Sequence, residues 1–361
     1  MSSESARRDV LLVGFGAMGV IYAYVLQKSG MARVTAIARS NYEAVQRDGI
    51  HIMSGMHGDI PGWKPYRLCP SFTEALDRPY SYVLIATKVL PELTPTSSII
   101  SPLLSPSYTQ AYPQQPAYVL LQNGLEIEKE LYDAVTKVSE TEPRILSCTL
   151  NIGANLLPDN AIWHSAFDRL CMGLYKPGNY TDESQTQEEI DLLNDIGGMF
   201  SAGGTEVTLV PEIQRHRFRK NFWNIAFSTI STLSRHSLRA IFQEPTVEPV
   251  VLPIIRAIML EKLAVGRAMG FDEVALPSSI VESTIESTGN IHRRADSKHK
   301  PSMLLDCENG KPMEIEVIVG EVVRKARELS VPTPHLDTIY ACLFITQKQI
   351  LKQLDNSKTH L

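Results

Sequence analysis

No Cys-x-x-Cys pair occurs in the chain, and its five cysteines, Cys69, Cys148, Cys171, Cys307 and Cys342, are odd in number and widely spaced. That pattern excludes a disulfide framework or a thiolate zinc site and reads as the reduced thiols of an intracellular protein. No other metal site is expected. A basic excess is also missing: 35 Lys and Arg stand against 40 Asp and Glu, a net charge of −5. Nucleic-acid binding by counterion release needs a basic face, so no nucleic-acid partner is expected. The same balance offers nothing to an anionic membrane. Uninterrupted apolar runs are lacking too. Asp9–Leu26, preceded by Arg7 and Arg8, is mostly apolar, but glycines break it and no small-residue cleavage site comes after it, which argues against a secretory signal. A transmembrane span needs about 20 apolar residues and fails on the same glycines. The C-terminal Thr-His-Leu does not match a peroxisomal ending. The expected location is the cytoplasm.

What is present describes a folded protein. Hydrophobic residues make up 43% and charged residues 21%, and 361 residues exceed one ordinary core, so two domains are expected. Asp9–Val13 reads as a buried parallel strand, Ala17–Ser29 as a helix and Arg33–Ala38 as a second strand, which together make a βαβ unit. Further apolar runs at Tyr82–Ala86, Tyr118–Leu121 and Ile145–Leu150 extend the alternation. A Rossmann-type, doubly wound α/β domain over 8–210 is expected. From Pro211 the chain turns helical, at Phe218–Arg235, Glu248–Ala268, Ile315–Leu329 and His335–Leu354, giving an all-helical domain over 211–355. In Ile315–Leu329 the residues Ile315, Ile318, Val319, Val322, Val323, Ala326 and Leu329 form one apolar stripe, which reads as core. Apolar helices in this half would support a homodimer. The proline-rich stretch Ser101–Ala117 reads as a surface loop. Asn179-Tyr-Thr181 matches a glycosylation sequon, which in a cytosolic chain is only loop sequence.

Gly14-Phe15-Gly16-Ala17-Met18-Gly19 comes directly after the first strand and opens the first helix. The first glycine permits the tight turn, the second lets backbone approach a pyrophosphate, and the third lets helix and strand pack closely. Phosphates then meet the free N–H groups and positive end of the helix dipole. An NAD site usually carries Asp or Glu about 20 residues further on. This chain has Arg39-Ser40-Asn41 there, with no acid before Glu43. The guanidinium of Arg39 suits a 2′-phosphate, so NADP(H) is the expected cofactor. Lys88 ends the Tyr82 strand and Asn123-Gly124 ends the Tyr118 strand, where open α/β sheets bind ligands.

Lys220, Asn224 and Ser228 fall at i, i+4 and i+8 of a predicted helix and so share a face. Carbonyl reduction needs a proton donor as hydride arrives, and a lysine serves once burial or a nearby positive charge lowers its pKa. By pattern alone an ordinary polar face would explain the same spacing. Ser302, after Pro301, suits either a substrate carboxylate or a helix cap. Glu314 leads an apolar helix, where the dipole favours a carboxylate anyway.

At these residues the sequence resembles the ketopantoate reductase (2-dehydropantoate 2-reductase) family, from about Val10 to about Leu343. The matching pieces are Gly14–Gly19, Lys88, Leu121–Gly124, Lys220 with Asn224, Pro301–Asp306, Glu314–Glu316 and Val331–Asp337. The resemblance implies NADPH-dependent reduction of ketopantoate to pantoate, a step towards pantothenate and coenzyme A. It implies Lys220 as general acid, Asn224 on a substrate oxygen, Ser302 on the carboxylate, and Glu314 positioning substrate and lysine. It also places Lys88 and Asn123 near the nicotinamide and substrate. Ser228 stands where the family often has a second asparagine, and His299 where an asparagine sometimes precedes the serine. These departures admit a reductase of another small 2-keto acid or ketone. A non-catalytic NADP sensor on the same fold is a further alternative, and the 3-hydroxyacid dehydrogenases fit Ser302–Glu314 less well.

Overall fold

A computed structural model describes residues 7–178, 180–297 and 299–359. The sequon asparagine, Asn179, lies outside the described residues. The chain divides into two units. One comprises residues up to Val89, Thr94–Asn123 and Ile127–Ile213; the other comprises Leu90–Leu93, Gly124–Glu126 and the chain from Gln214 onward.

In the first unit, β1 (Arg8–Val13) pairs in parallel with β2 (Ala32–Ile37) on one side and β6 (Tyr82–Ile85) on the other. Its inner residues Val10, Leu11 and Leu12 are fully buried, as the continuous apolar run requires of a strand covered on both faces. β6 pairs in parallel with β7 (Ala117–Leu120), and β7 with the start of β8 (Ile145–Leu156). The helix Ala17–Lys28 comes after β1 and buries Val20, Ile21, Tyr22 and Val25. This is the expected doubly wound core.

The sheet extends well beyond that core, and it is mixed. β8 runs antiparallel to β9 (Ala161–Leu174), and β9 also pairs in parallel with β3 (Ile50–Ser54) and β10 (Glu206–Val210). β3 forms an antiparallel hairpin with β4 (Gly58–Trp63), and β5 (Arg67–Cys69) flanks β2. The full order is β4-β3-β9-β8-β7-β6-β1-β2-β5, with β10 beside β9. The strand expected over Ile145–Leu150 therefore continues to Leu156, because backbone pairing with β9 carries it past the apolar run. The expected loop at Ser101–Ala117 is also corrected. It holds a 3-10 turn, Ser101–Leu104, and a short helix, Pro106–Ala111. Pro102 and Pro106 lie in first turns, where a missing N–H costs nothing, and the Ser105 hydroxyl accepts from Tyr108 N–H.

In the second unit the expected helix Phe218–Arg235 is a composite. An α-helix, Gln214–Trp223, widens into a π turn, Asn224–Ser228, and resumes as Thr229–Ser234. Hydroxyls take up carbonyls along this stretch: Thr229 Oγ1 donates to Ile225 O at 2.6 Å and Thr232 Oγ1 to Ser228 O at 2.7 Å. A second π turn, Glu316–Gly320, precedes the helix Glu321–Glu328. Along the expected stripe Ile315, Ile318, Val319, Val322, Val323 and Ala326 are buried, but Leu329 is 37% exposed, because the helix stops at Glu328. The long helices Glu248–Ala268 and Pro334–Thr359 complete the frame.

One core residue is out of character. Lys262, on Glu248–Ala268, is fully buried, and among the described residues its Nζ has no hydrogen-bond partner. The nitrogen lies 3.6 Å from the ring centroid of Phe218 and 5.0 Å from that of Phe222. Burial pushes the amine well below the usual lysine range. Among the described residues no helix is long and apolar enough to cross a membrane.

Candidate active site

The nucleotide unit gathers its candidates at one edge. Val13, Ile85 and Leu120 are in register across three parallel strands, so Gly14, Ala86–Lys88 and Leu121–Asn123 all leave the carboxyl edge of the sheet. Gly14 has φ +104, and a Cβ there would meet Ala86 C at 2.7 Å and Thr87 N at 2.8 Å. A Cβ on Gly19 would meet Gly14 O at 2.0 Å. Gly16 differs: a Cβ there would meet nothing within 4 Å. The turn is thus closed on its protein side and open at the glycine where a pyrophosphate would approach.

The helix behind it fits a phosphate as well. Its N-cap Gly16 offers no side-chain cap, and no acid lies in the first turn, so neither competes with an anion for the N–H groups. Phe15 is buried, while Ala17 and Met18 are half-buried. Arg39 and Ser40 are exposed immediately after β2 and the buried Ala38. These residues therefore suit a dinucleotide.

Lys88 is exposed and Asn123 half-buried. A residue not singled out from the sequence ties their two segments together. Gln122, 3% exposed, donates from Nε2 to Thr87 O at 2.9 Å and to Thr87 Oγ1 at 3.1 Å. Its signal was available, since a polar side chain at the end of an apolar strand needs a buried partner.

The helical unit carries the remaining candidates. Lys220, in the last turn of Gln214–Trp223, keeps a partly exposed surface although protein surrounds its amine closely. That enclosure and the positive charge of Arg217 lower its pKa to about 8, while Glu314 acts the other way. Asn224 opens the first π turn one turn later and is half-buried. Ser228, the third member of the expected polar face, is only 3% exposed. The π turn Asn224–Ser228 interrupts the 3.6-residue period on which that shared face was reckoned.

Ser302 is exposed at the start of the helix Ser302–Glu308, whose N-cap is Pro301. Its hydroxyl does not cap that helix. Glu314, half-buried, immediately precedes the helical stretch that begins at Ile315. The helix Ser302–Glu308 and the Glu316–Gly320 turn both pack against the Asn224–Ser228 turn. Within this unit the fold therefore gathers the elements that bear Lys220, Asn224, Ser302 and Glu314.

Two further residues were not anticipated from the sequence. Arg217, 3% exposed, donates from Nη1 to Gly124 O at 2.7 Å. Asn221, also 3% exposed, donates from Nδ2 to Ile318 O at 2.9 Å, and so ties the lysine helix to the second π turn. Near them, Trp223 lies 5.6 Å from the ring of His299. Among the described residues no group of three or more His, Cys, Asp or Glu could hold a metal ion.

Comparison with known proteins matches two stretches of the chain. The family described as ketopantoate reductase PanE/ApbA matches residues 10–177, and its C-terminal counterpart matches residues 212–346. An uncharacterized protein of Saccharomyces cerevisiae is 28% identical over 351 residues, 94% of each chain. A 2-dehydropantoate 2-reductase of Nostoc sp. is 25% identical over 341 residues, 92% of this chain and 93% of its own. The crystal structure of 2-dehydropantoate 2-reductase from Methylococcus capsulatus superposes with a TM-score of 0.75 at 31% identity, covering 95% of this chain and 97% of that one.

Proposed function

Because the chain belongs to the ketopantoate reductase family, whose members are oxidoreductases acting on CH–OH groups, we propose that it reduces 2-dehydropantoate to pantoate with NADPH. On this reading it serves pantothenate and coenzyme A synthesis. The observation that carries the proposal is Lys220, an amine whose pKa burial and the charge of Arg217 bring down to about 8 against the opposing pull of Glu314.

A ketone accepting hydride develops negative charge on its oxygen, and an acid matched to the working pH is best placed to neutralise it. Lys220 fills that role, protonated below about pH 8 and able to release its proton near neutrality. Glu314 keeps the amine from losing its proton too early. Asn224 orients the substrate oxygen without adding charge, and the Ser302 hydroxyl, not engaged as a helix cap, receives the carboxylate. NADPH supplies the hydride. Gly14–Gly19 receive its pyrophosphate, Arg39 and Ser40 its 2′-phosphate, and Lys88 and Asn123 meet it from the carboxyl edge of the sheet. The exposed guanidinium at the end of β2, where an NAD site carries an acid, supports NADPH over NADH.

A second reading keeps the chemistry and enlarges the substrate. Trp223 and His299 pair their rings next in sequence to Asn224 and three residues before Ser302, which favours a 2-keto acid bearing a larger, flat side chain. Loss of NADPH absorbance against ketopantoate and a panel of 2-keto acids decides between the two. Ketopantoate should have the highest kcat/KM, with Lys220→Ala losing about 10²–10⁴-fold in kcat while NADPH affinity is kept. A larger keto acid turning over faster than ketopantoate establishes the second reading, and normal turnover by Lys220→Ala removes the lysine from the chemistry. The apolar residues exposed along one helix, Val250, Ile254 and Leu260, support a homodimer, which light scattering in solution tests.

A further inference from the structure

Arg217 lies three residues before Lys220 on the same helix, so the two side chains are neighbours on its surface. Its guanidinium is almost completely buried and donates to the Gly124 carbonyl at 2.7 Å. Gly124 begins a three-residue excursion, Gly124–Glu126, whose next residue is also held: Leu125 N–H donates to Val317 O at 2.9 Å. Val317 belongs to the second π turn, and the adjoining Ile318 carbonyl is taken by Asn221 from the lysine helix. Glu126 then sits at φ 55, in the left-handed region. A segment that tight depends on its anchors to hold its conformation.

We propose that Arg217 is a positioning residue for the reduction, pinning the turn after Asn123 to the lysine-bearing helix while holding a fixed positive charge one turn from the Lys220 amine. The inference rests on Lys220 as proton donor and adds a residue whose charge lowers its proton affinity beyond what burial does. Arginine suits both tasks. Its planar fork holds a carbonyl with directional N–H groups, and it stays charged across the whole working range, so its effect on Lys220 does not titrate away.

The charges around the amine make the effect readable. Arg217 on its own helix lowers the pKa of Lys220, and Glu314 ahead of the second π turn raises it. Of the other charged groups on the packed elements, Arg219 is exposed. Glu316 is engaged with Arg324 and Tyr340. Asp306 lies buried on the Ser302–Glu308 helix. Lys262, on the packed Glu248–Ala268 helix, is turned to the rings of Phe218 and Phe222. The charges that act on the Lys220 amine are Arg217 and Glu314, so Arg217 is the residue whose removal should move the lysine towards its ordinary value.

The test pairs Arg217→Gln with Arg217→Lys in the full-length enzyme. The readouts are kcat against pH, KM, NADPH affinity, and the pH titration of the Lys220 ε-carbon resonance in ¹³C-lysine-labelled protein, assigned with Lys220→Arg. In Arg217→Gln the resonance and the alkaline limb of kcat should both move up by about one pH unit, as expected when a like charge leaves. In Arg217→Lys the titration should stay near its original position, while kcat falls about tenfold from the lost pin and NADPH affinity is kept. An unmoved resonance in a folded Arg217→Gln overturns the electrostatic role. Undiminished kcat in Arg217→Lys overturns the pin, and this variant carries the test if the glutamine variant fails to fold. Because the resonance is read without turnover, a shift there with no matching shift in kcat would count against Lys220 as donor and leave the effect of Arg217 standing.

Discussion

Replacing Lys262 with Met should make the protein more stable at neutral pH and weaken the dependence of its stability on pH. The amine is fully buried, without a hydrogen-bond partner among the described residues, against the rings of Phe218 and Phe222. Two effects compete there. Attraction to a desolvated ring is worth about 2 kcal/mol to the charged form, whereas removing an ammonium from water costs several kcal/mol even after relaxation. Desolvation wins, and the folded-state pKa lies well below the usual lysine value. The unfolded chain holds this proton up to about pH 10.4, so unfolding takes up a proton throughout the window between the two values. Stability then rises with pH across that window, by about 1.4 kcal/mol per unit for this one group, and falls as pH drops. Methionine fills the same unbranched slot without titrating. The stability advantage of Lys262→Met should therefore shrink by about 1.4 kcal/mol from pH 8 to pH 9. Urea unfolding at pH 7, 8 and 9, monitored by far-ultraviolet circular dichroism for both proteins, measures the difference directly. Parallel pH dependences would refute the reasoning, because they would mean that Lys262 is equally protonated in both states.

Three further outcomes are expected of the two units. Gly19→Ala places a Cβ against Gly14 O. The nucleotide unit should lose at least 1–3 kcal/mol, roughly the cost of overpacking, together with measurable NADPH binding by calorimetry. Arg39→Ala should weaken NADPH by about 10–100-fold while leaving NADH unchanged, the worth of charge-assisted bonds to one phosphate; equal losses for both cofactors would place Arg39 outside the 2′-phosphate site. Glu314→Gln removes the charge that raises the Lys220 pKa. The alkaline fall of kcat, expected near pH 8, should then move to lower pH, opposite in sign to Arg217→Gln, and a shift in the alkaline direction would contradict the assignment.

Much of the first unit was legible because its signals are local. Gly14 and Gly19 each answer a separate steric demand, and Val10–Val13 is apolar without interruption, as a doubly covered strand must be. The β8–β9 pair was not legible past Leu150, since Asn151–Leu156 is held by a partner strand and not by its own apolar pattern. Prolines at Pro102 and Pro106 read as loop formers, although each is compatible with the first turn of a helix. In the second unit, the spacing of Lys220 and Asn224 fitted an ordinary polar face equally well, and the resemblance was what singled them out. The Asn224–Ser228 turn was not legible, because a period of 3.6 residues assumes an unbroken α-helix. Arg217 and Gln122 escaped notice because their roles depend on carbonyls far along the chain or on a neighbouring strand, which no periodicity announces.

The passage of the chain between its two units has a practical consequence for anyone who would divide it. It crosses five times, so a cut between Ile213 and Gln214 does not yield two intact modules. A fragment beginning at Gln214 lacks Glu92, which receives Gln347 Nε2, as well as the Gly124 carbonyl and Leu125 N–H that meet Arg217 and Val317. Such a fragment would present a buried guanidinium and one open π-turn carbonyl, that of Val317, to solvent. Swapping helical halves between relatives would fail for the same reason unless Leu90–Leu93 and Gly124–Glu126 travel with the half they serve. Gene fusion and recombination within this family are therefore constrained to exchange three separate stretches together.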